Sequence, residues 1–553
     1  MTSDDALYKE FLAEMETLEK FRISYSGLHP EAPLKRDDQD VRRMIEAMAM
    51  FSAKTRMTGK RGVMRSTMRL FSQHFPYLMN PMPMLSMLSA EPSQKFVDAA
   101  DIPKGSRVFL SGEGRQDGPL NGEPLVAHFQ TLSSLRVLPY SLEWVEIVRK
   151  PGVGFQLLLR VQSDFARNDE IGELNFHINH LNDFGSSSVI GYNLKKHTSS
   201  IGVVFDEDVT SDTEGESCEF YFGSPKVESD EATAFDHPLQ RARAFFQFPQ
   251  QDLFMNVQIP DQPRNWKYFT LMLELSGDWP TELRMGAGSF ELNVAPVINL
   301  AKALSDPLIV DGTKERYLVS PADLQNRFVP QSVLAVYRLD GEGMVPIPPG
   351  VIDGDRACYE LESEGELESR RVWSYLNIPD SFDNAVPVAT DGFWHQPILS
   401  EEKLSDWEAD LADRHVEGVD WSVSSTIIRP KENVFVGDYE GLMHLLSIKN
   451  QRFLGTGDLL FLLRALGASH SSDFNEIVNA VTNLEFESKP FVKNSTGFKY
   501  IYRLSIENLD VGLVGFLDLF GVRLLEILTA WSMEEVVELQ VSVRNLELEL
   551  NYR

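Results

Sequence analysis

His177-Ile-Asn-His180 is the one close histidine pair in the chain and the first place to look for metal chemistry. Zinc needs four ligands, or three and a water, so a pair must recruit further donors on a turn or helix. The residues around this pair alternate like a strand, where positions i and i+3 point to opposite faces. The pair therefore reads as structural. Asp206, Asp208 and Asp212 could grip calcium, but a helix–loop–helix calcium site needs Gly at its sixth position and Glu at its twelfth. Ser211 and Ser217 stand there instead, so Asp206–Glu216 reads as a solvated acidic loop. Gly112–Gly118 has the wrong spacing for a dinucleotide fingerprint, and its carboxylates would repel a pyrophosphate. Gly185-Ser-Ser-Ser lacks the closing glycine of a nucleophile elbow. Cys218 and Cys358 read as free thiols of a reducing compartment. Acid pairs are too numerous to nominate a glycosidase couple. No catalytic residue, cofactor or metal site is expected.

The elements that would position any such group belong to a long chain. Its 553 residues call for two to four domains, and 43% hydrophobic with 10% aromatic residues suffices for several cores. A net charge of −30 disfavours nucleic acid as a partner, since phosphate binding needs clustered cations. The acid is unevenly spread. Met1–Glu91 holds 13 Lys+Arg against 12 Asp+Glu, which leaves 39 and 70 for the remainder. No signal peptide and no run of about 18 apolar residues is visible. The most apolar stretch, Leu513–Trp531, is interrupted by Asp518, Arg523 and Glu526. A cytoplasmic protein with no direct membrane insertion is expected.

The pattern is α+β and multidomain, with an N-terminal helical segment (1–91), a β-rich middle (92–331) and a mixed α+β C-terminal part (332–553). Leu7, Phe11, Met15 and Leu18 fall at helical spacing. A second helix begins after Asp38–Asp40, with Val41, Met44, Ile45, Met48 and Phe51 on one face, and a third covers Val63–Phe75. Pro81-Met-Pro83 is a stiff connector. From Ala47 to Ala90 there is no acidic residue, and twelve of the 18 methionines precede Glu91. Methionine suits surfaces that repack against partner helices. Met48, Phe51, Met64 and Met68, with Arg61, Arg65 and Arg69, are the candidate partner-binding residues. Beyond Glu91, short apolar runs bounded by Gly, Pro, Asn and Asp have strand-and-turn texture. Leu239–Phe246, Gly455–Leu466 and Leu513–Trp531 are helical. Val537–Val543 and Leu546–Tyr552 alternate in opposite phases, which implies a bulge or tight turn at Arg544-Asn545.

Several segments resemble, in order, the TssF family of type VI secretion baseplate subunits. DVRRMIEAMAMFSAKTR at Asp40–Arg56 is similar to the family's "DP.VERLLEGFAFLTARI" helix, and Leu70–Leu88 to its "LYPHYLRPIPSMAIV" connector. HPLQRARAFFQFPQQDLFMNV at His237–Val257 resembles "L.EYF.FPEKFLFFDL". LNVAPVINL at Leu292–Leu300 resembles "LNCVPVVNLF", and Gly441–Gly467 matches a further family stretch. These carry the family-motif positions Phe245, Phe246, Phe248, Pro249, Phe254, Pro296 and Asn299. The aromatics are read as core, and Asn299 as satisfying backbone groups at a chain crossing. The family's acidic segment after the second helix is basic here, KTRMTGKRGVMRSTMR.

The resemblance implies a structural subunit of a contractile baseplate wedge. It would assemble with a TssG-like subunit, further copies of itself, and TssE-like and TssK-like subunits, docked at the inner membrane through those partners. The N-terminal helices would enter an intersubunit bundle. The alternatives are a component of another contractile, phage-tail-like particle, or a stand-alone β-rich enzyme or carbohydrate-binding protein.

Overall fold

A computed structural model of the chain describes residues 3–31, 33–35, 38–75, 78–118, 120–150, 154–168, 170–210, 213–225, 237–260, 265–341, 343–350, 352, 356–424, 426–435, 438–490, 498–532 and 536–553. The chain divides into two compact units, 1–76 with 437–446 and 77–436 with 447–553.

The first unit is built on a helical hairpin of α1 (Ser3–Leu28) and α2 (Gln39–His74). Asp38 caps α2, its side chain accepting hydrogen bonds from the backbone N–H groups of Asp40 and Val41. The second and third helices read from the sequence are one 36-residue helix, roughly 54 Å long at 1.5 Å per residue. The expected gap between Phe51 and Val63 contains Gly59 and Gly62. Both glycines face open space, so each leaves no void and costs the helix only about 1 kcal/mol relative to alanine. Across the hairpin, Ser52 donates to Glu14 at 3.1 Å, Arg56 pairs with Glu14 at 2.6 Å and Lys60 pairs with Glu10. As α1 numbering falls, α2 numbering rises, so the helices run antiparallel.

The second unit is organised around a closed six-stranded barrel. Its strands, in spatial order, are Leu85–Pro92, Val294–Ile298, Pro124–Thr131, Arg107–Glu113, Glu408–Leu411 and Val419–Val423. Leu88, Val108, Leu110, Ala127, Phe129 and Val297 fill it. Two excursions leave this barrel. The first, between Thr131 and Val294, is an eight-stranded sheet that carries α3 (Phe184–His197), with α4 (Pro238–Gln247) in the same excursion. The second, from Ala301 to His395, pairs a five-stranded with a three-stranded sheet over Val336, Val388 and Tyr317.

Three short helices follow, α5 (Tyr439–Ile448), α6 (Thr456–Ala465) and α7 (Ser472–Ala480). The chain closes with a four-stranded sheet. Its central strands, Phe498–Ile506 and Val537–Val543, are parallel and joined through α8 (Val514–Ser532), the crossover a parallel pair requires. The phase slip at Arg544-Asn545 is a tight turn, with Glu547 in the left-handed region at φ 48°. The last two strands, Val537–Val543 and Leu548–Tyr552, pair antiparallel across it. The architecture is α+β, with N-terminal helices and a β-rich remainder. Among the described residues no helix is long and apolar enough to cross a membrane.

Candidate functional site

The hairpin shows how a sequence can overfill one helix–helix interface. On α1, Leu7, Phe11, Met15 and Leu18 are partly covered, while Tyr8 and Leu12 are exposed. On α2, Val41 and Ile45 are partly covered, and Ala49 and Ala53 fully buried. The single apolar face expected for α2 is split. Met44, Met48 and Phe51 point to solvent, Phe51 at 75% exposure. The reason is geometric: the apolar arc is wider than the stripe one neighbouring helix covers. Burying these three side chains against a partner would be worth roughly 1.5–3 kcal/mol each before the cost of association.

The other candidate partner-binding residues divide. Met64 is exposed, whereas Met68 and Arg69 are half-buried, and all three are already engaged by neighbouring groups. The side chains of Arg61 and Arg65 lie outside the described residues. Lys60 and Arg56, also in the basic stretch, pair with α1 carboxylates. Part of the charge that reads as unusual in sequence is therefore neutralised inside the hairpin.

The family-motif positions lie in the second unit and are buried, except Pro249, which is half-buried. Phe245 and Phe246 on α4 contact Phe474 of α7, ring centroids 5.1 and 5.5 Å apart, and Phe246 contacts Phe520 of α8. Phe248 and Phe254 pack with Leu85, Val294 and Ile298. Pro249 opens the 3-10 turn Pro249–Asp252, and Pro296 sits in a barrel strand opposite Met87. Asn299 lies at a chain crossing. Its Oδ1 accepts from the Gln396 N–H at 2.8 Å, and its Nδ2 donates to the His128 carbonyl at 2.9 Å.

The sequence's chemical candidates are occupied by structure. His177 contacts Glu291 and the Gln250 carbonyl, both at 3.2 Å, and His180 contacts Ser289. Burial pushes the Glu291 carboxyl up, but its bonds to His177 and Asn179 outweigh this and leave it below the ordinary value. Asp206 accepts from the backbone N–H groups of Lys267 and Tyr268, and Asp208 pairs with Arg160. Asp212 lies outside the described residues.

Sequence reasoning missed a cavity of about 640 Å³ walled by α3, α4 and α8. Arg523 on its wall pairs with Asp252 and, at 2.6 Å, with Glu526. Burial lowers the Arg523 pKa, but the two carboxylates outweigh it and hold it above the ordinary value. Lys195 pairs with Asp518 at 2.8 Å, and Tyr552 donates to Asp518 at 3.3 Å. Burial, then Asp518, pushes the Tyr552 hydroxyl upward. The signal was present as the three charges that interrupt the apolar run of α8.

The hairpin thus exposes apolar side chains, while the charged groups around the cavity of the second unit are paired. The family profile described as "Type VI secretion system, TssF" matches residues 27–180 and 231–350. The chain belongs to the TssF family of the type VI secretion system. No curated protein sequence matches it. Its fold is similar to that of a chain in the type VI secretion TssK-TssF-TssG baseplate subcomplex, with a TM-score of 0.75 at 18% identity, covering 93% of this chain and 98% of that one. A chain of the type VI secretion baseplate complex matches with a TM-score of 0.57 at 15% identity, covering 99% and 98%.

Proposed function

We propose that the chain is a structural subunit of a type VI secretion baseplate, and that its helical hairpin is the element that joins partner subunits. The observation that carries this is the outward stripe of Met44, Met48 and Phe51 on α2, in a member of the TssF family. Helices that expose such a stripe at i, i+4 and i+7 dock against other helices. The likeness to a chain of a TssK-TssF-TssG subcomplex favours TssG-like and TssK-like subunits as the partners. A TssE-like subunit and further copies of the chain complete the assembly, which docks at the inner membrane through partners and acts from the cytoplasm. The work of this subunit is geometric rather than catalytic. Co-expression with the TssG-like and TssK-like subunits tests it. A complex that survives size-exclusion chromatography is expected, and a chain that elutes alone refutes the proposal.

A further inference from the structure

After α2 the chain enters the second unit as Met79-Asn80-Pro81-Met82-Pro83-Met84 and then becomes the barrel strand Leu85–Pro92. All six carbonyl oxygens of this segment accept hydrogen bonds. Met79 accepts from Asn433 Nδ2 at 2.9 Å, Asn80 from Arg243 Nη2 at 2.9 Å and Pro81 from Gln331 Nε2 at 3.3 Å. Met82 accepts from the Lys431 N–H at 2.9 Å, Pro83 from Gln247 Nε2 at 3.3 Å and Met84 from the Asn299 N–H at 2.9 Å. Four of the six donors are side chains, so apart from the antiparallel bridge between Met82 and Lys431 this is not a sheet ladder. It is a set of separate clamps reaching in from α4, from the strand Val329–Asp340 and from the segment 431–433. Pro81 and Pro83 fix φ and remove two N–H donors that no ladder here would use. Residues 81–84 are buried, as are the clamping side chains of Arg243, Gln331 and Asn433. Arg243 has lost so much hydration that its pKa falls to about 10.

Two further features bear on how such a segment answers a pull. The segment 431–433 leads to the other stretch of the chain that belongs to the first unit, and it is bonded to 79–82. Two of the three covalent routes between the units are thus tied together inside the second unit. The strand Leu85–Pro92 is then bonded on both sides, to Val294–Ile298 and to Val419–Val423. A pull along the chain from α2 therefore meets six separately bonded carbonyls and then a strand bonded on both edges.

We propose that residues 79–84 are a mechanical anchor, through which tension on the hairpin passes into the barrel without peeling the chain from the body. The relevance of that tension rests on the hairpin being the assembly element; the anchor itself does not.

Single-molecule pulling on the full chain tests it, with handles at Lys54→Cys on α2 and Ser111→Cys on the barrel. The two native thiols are buried and stay unlabelled. The parent is expected to lose the hairpin helices first and to release the strand Leu85–Pro92 only at a clearly higher force. Gln247→Ala with Asn433→Ala removes two clamps and should lower that second force by a third or more. Asn545→Ala, which removes the bonds that hold the turn at Leu509, should leave it unchanged. Equal release forces in the parent and the clamp variant would overturn the proposal, as would an equal drop in the Asn545 control. If the double variant does not fold, Gln247→Ala alone gives the same comparison with a smaller drop. Partner binding is not needed for this measurement. Failure to bind a TssG-like protein would remove the assembly reading and leave the anchor standing.

Discussion

Arg523 of α8 and Asp252 of the turn after α4 form an ion pair in the interior, each side chain about one-tenth exposed or less. The pair ties α8 of the C-terminal sheet to the excursion that carries the family's aromatic motif. Burying two charges is expensive, and the pair persists because Glu526 also bonds Arg523 and Ser224 also bonds Asp252. Removing one partner leaves the other charge uncompensated. Arg523→Met should therefore destabilise the chain by about 3–5 kcal/mol. Arg523→Met combined with Asp252→Leu should recover most of the loss. Urea unfolding of both variants checks this, and strict additivity would show that the pair is not coupled.

His395 gives a pH signature. It is buried, neither ring nitrogen has a hydrogen-bond partner among the described residues, and burial followed by repulsion from Arg370 lowers its pKa to about 3. Its pKa in the folded chain is depressed, so between 6.5 and 3 the unfolded chain binds the extra proton. Stability is full above pH 6.5 and falls by about 1.4 kcal/mol per pH unit below it from this group alone. His395→Leu should flatten the stability profile from pH 6.5 to 4 by close to one proton, with no loss at pH 7.5. Urea midpoints across that range decide it, and an unchanged slope would contradict the assignment.

Gly515 lies where α8 meets α3. A Cβ there would stand 2.6 Å from the backbone carbon and oxygen of Ser188. In an open helix, Gly→Ala gains about 1 kcal/mol. Here the clash is with backbone, which cannot swing aside, and overpacking costs about 1–3 kcal/mol. Gly515→Ala should therefore lower stability, whereas Gly59→Ala on α2, which meets nothing within 4 Å, should raise it. Thermal melts of the two variants provide the comparison.

On the hairpin, Met48→Asp with Phe51→Asp should leave unfolding within about 0.5 kcal/mol of the parent, since both side chains are exposed. The same change should abolish copurification with a TssG-like partner. Reversing Arg61 and Arg65 to Glu, and leaving the half-buried Arg69 in place, should weaken that binding without unfolding the chain, more strongly at low salt. Retained binding in both variants would move the assembly surface elsewhere.

What the sequence disclosed follows from the range of its signals. Helices α4, α6 and α8 and the alternating C-terminal strands lie within a residue or two of their periodic patterns, because their own residues carry the burial pattern. Asn299 was readable as a satisfier of backbone groups, since an amide in an apolar run has few other uses. The continuity of α2 was not, because the polar stretch 52–62 between the two apolar patterns carries no periodic apolar signal of its own. The pairs Lys195–Asp518 and Arg523–Asp252 join residues 323 and 271 positions apart. Only the charged interruptions of α8 hinted that such partners existed. The clamps on residues 79–84 were invisible for the same reason. Proline marked the segment as stiff, while every donor came from distant parts of the chain.

The barrel has a consequence for how the protein is made. Its first strand, Leu85–Pro92, pairs with Val419–Val423, and the Ser86 hydroxyl bonds the Ser424 carbonyl 338 positions away. At bacterial or eukaryotic rates of about 5–20 residues per second, a ribosome needs on the order of tens of seconds to deliver that last strand. Throughout that interval the first strand has one edge without its final neighbour. Both excursions can fold meanwhile, since each completes its own sheets. Ring closure is thus a late event in biogenesis, and truncated or stalled chains that end before Val419 should be sticky at that edge and depend on chaperones.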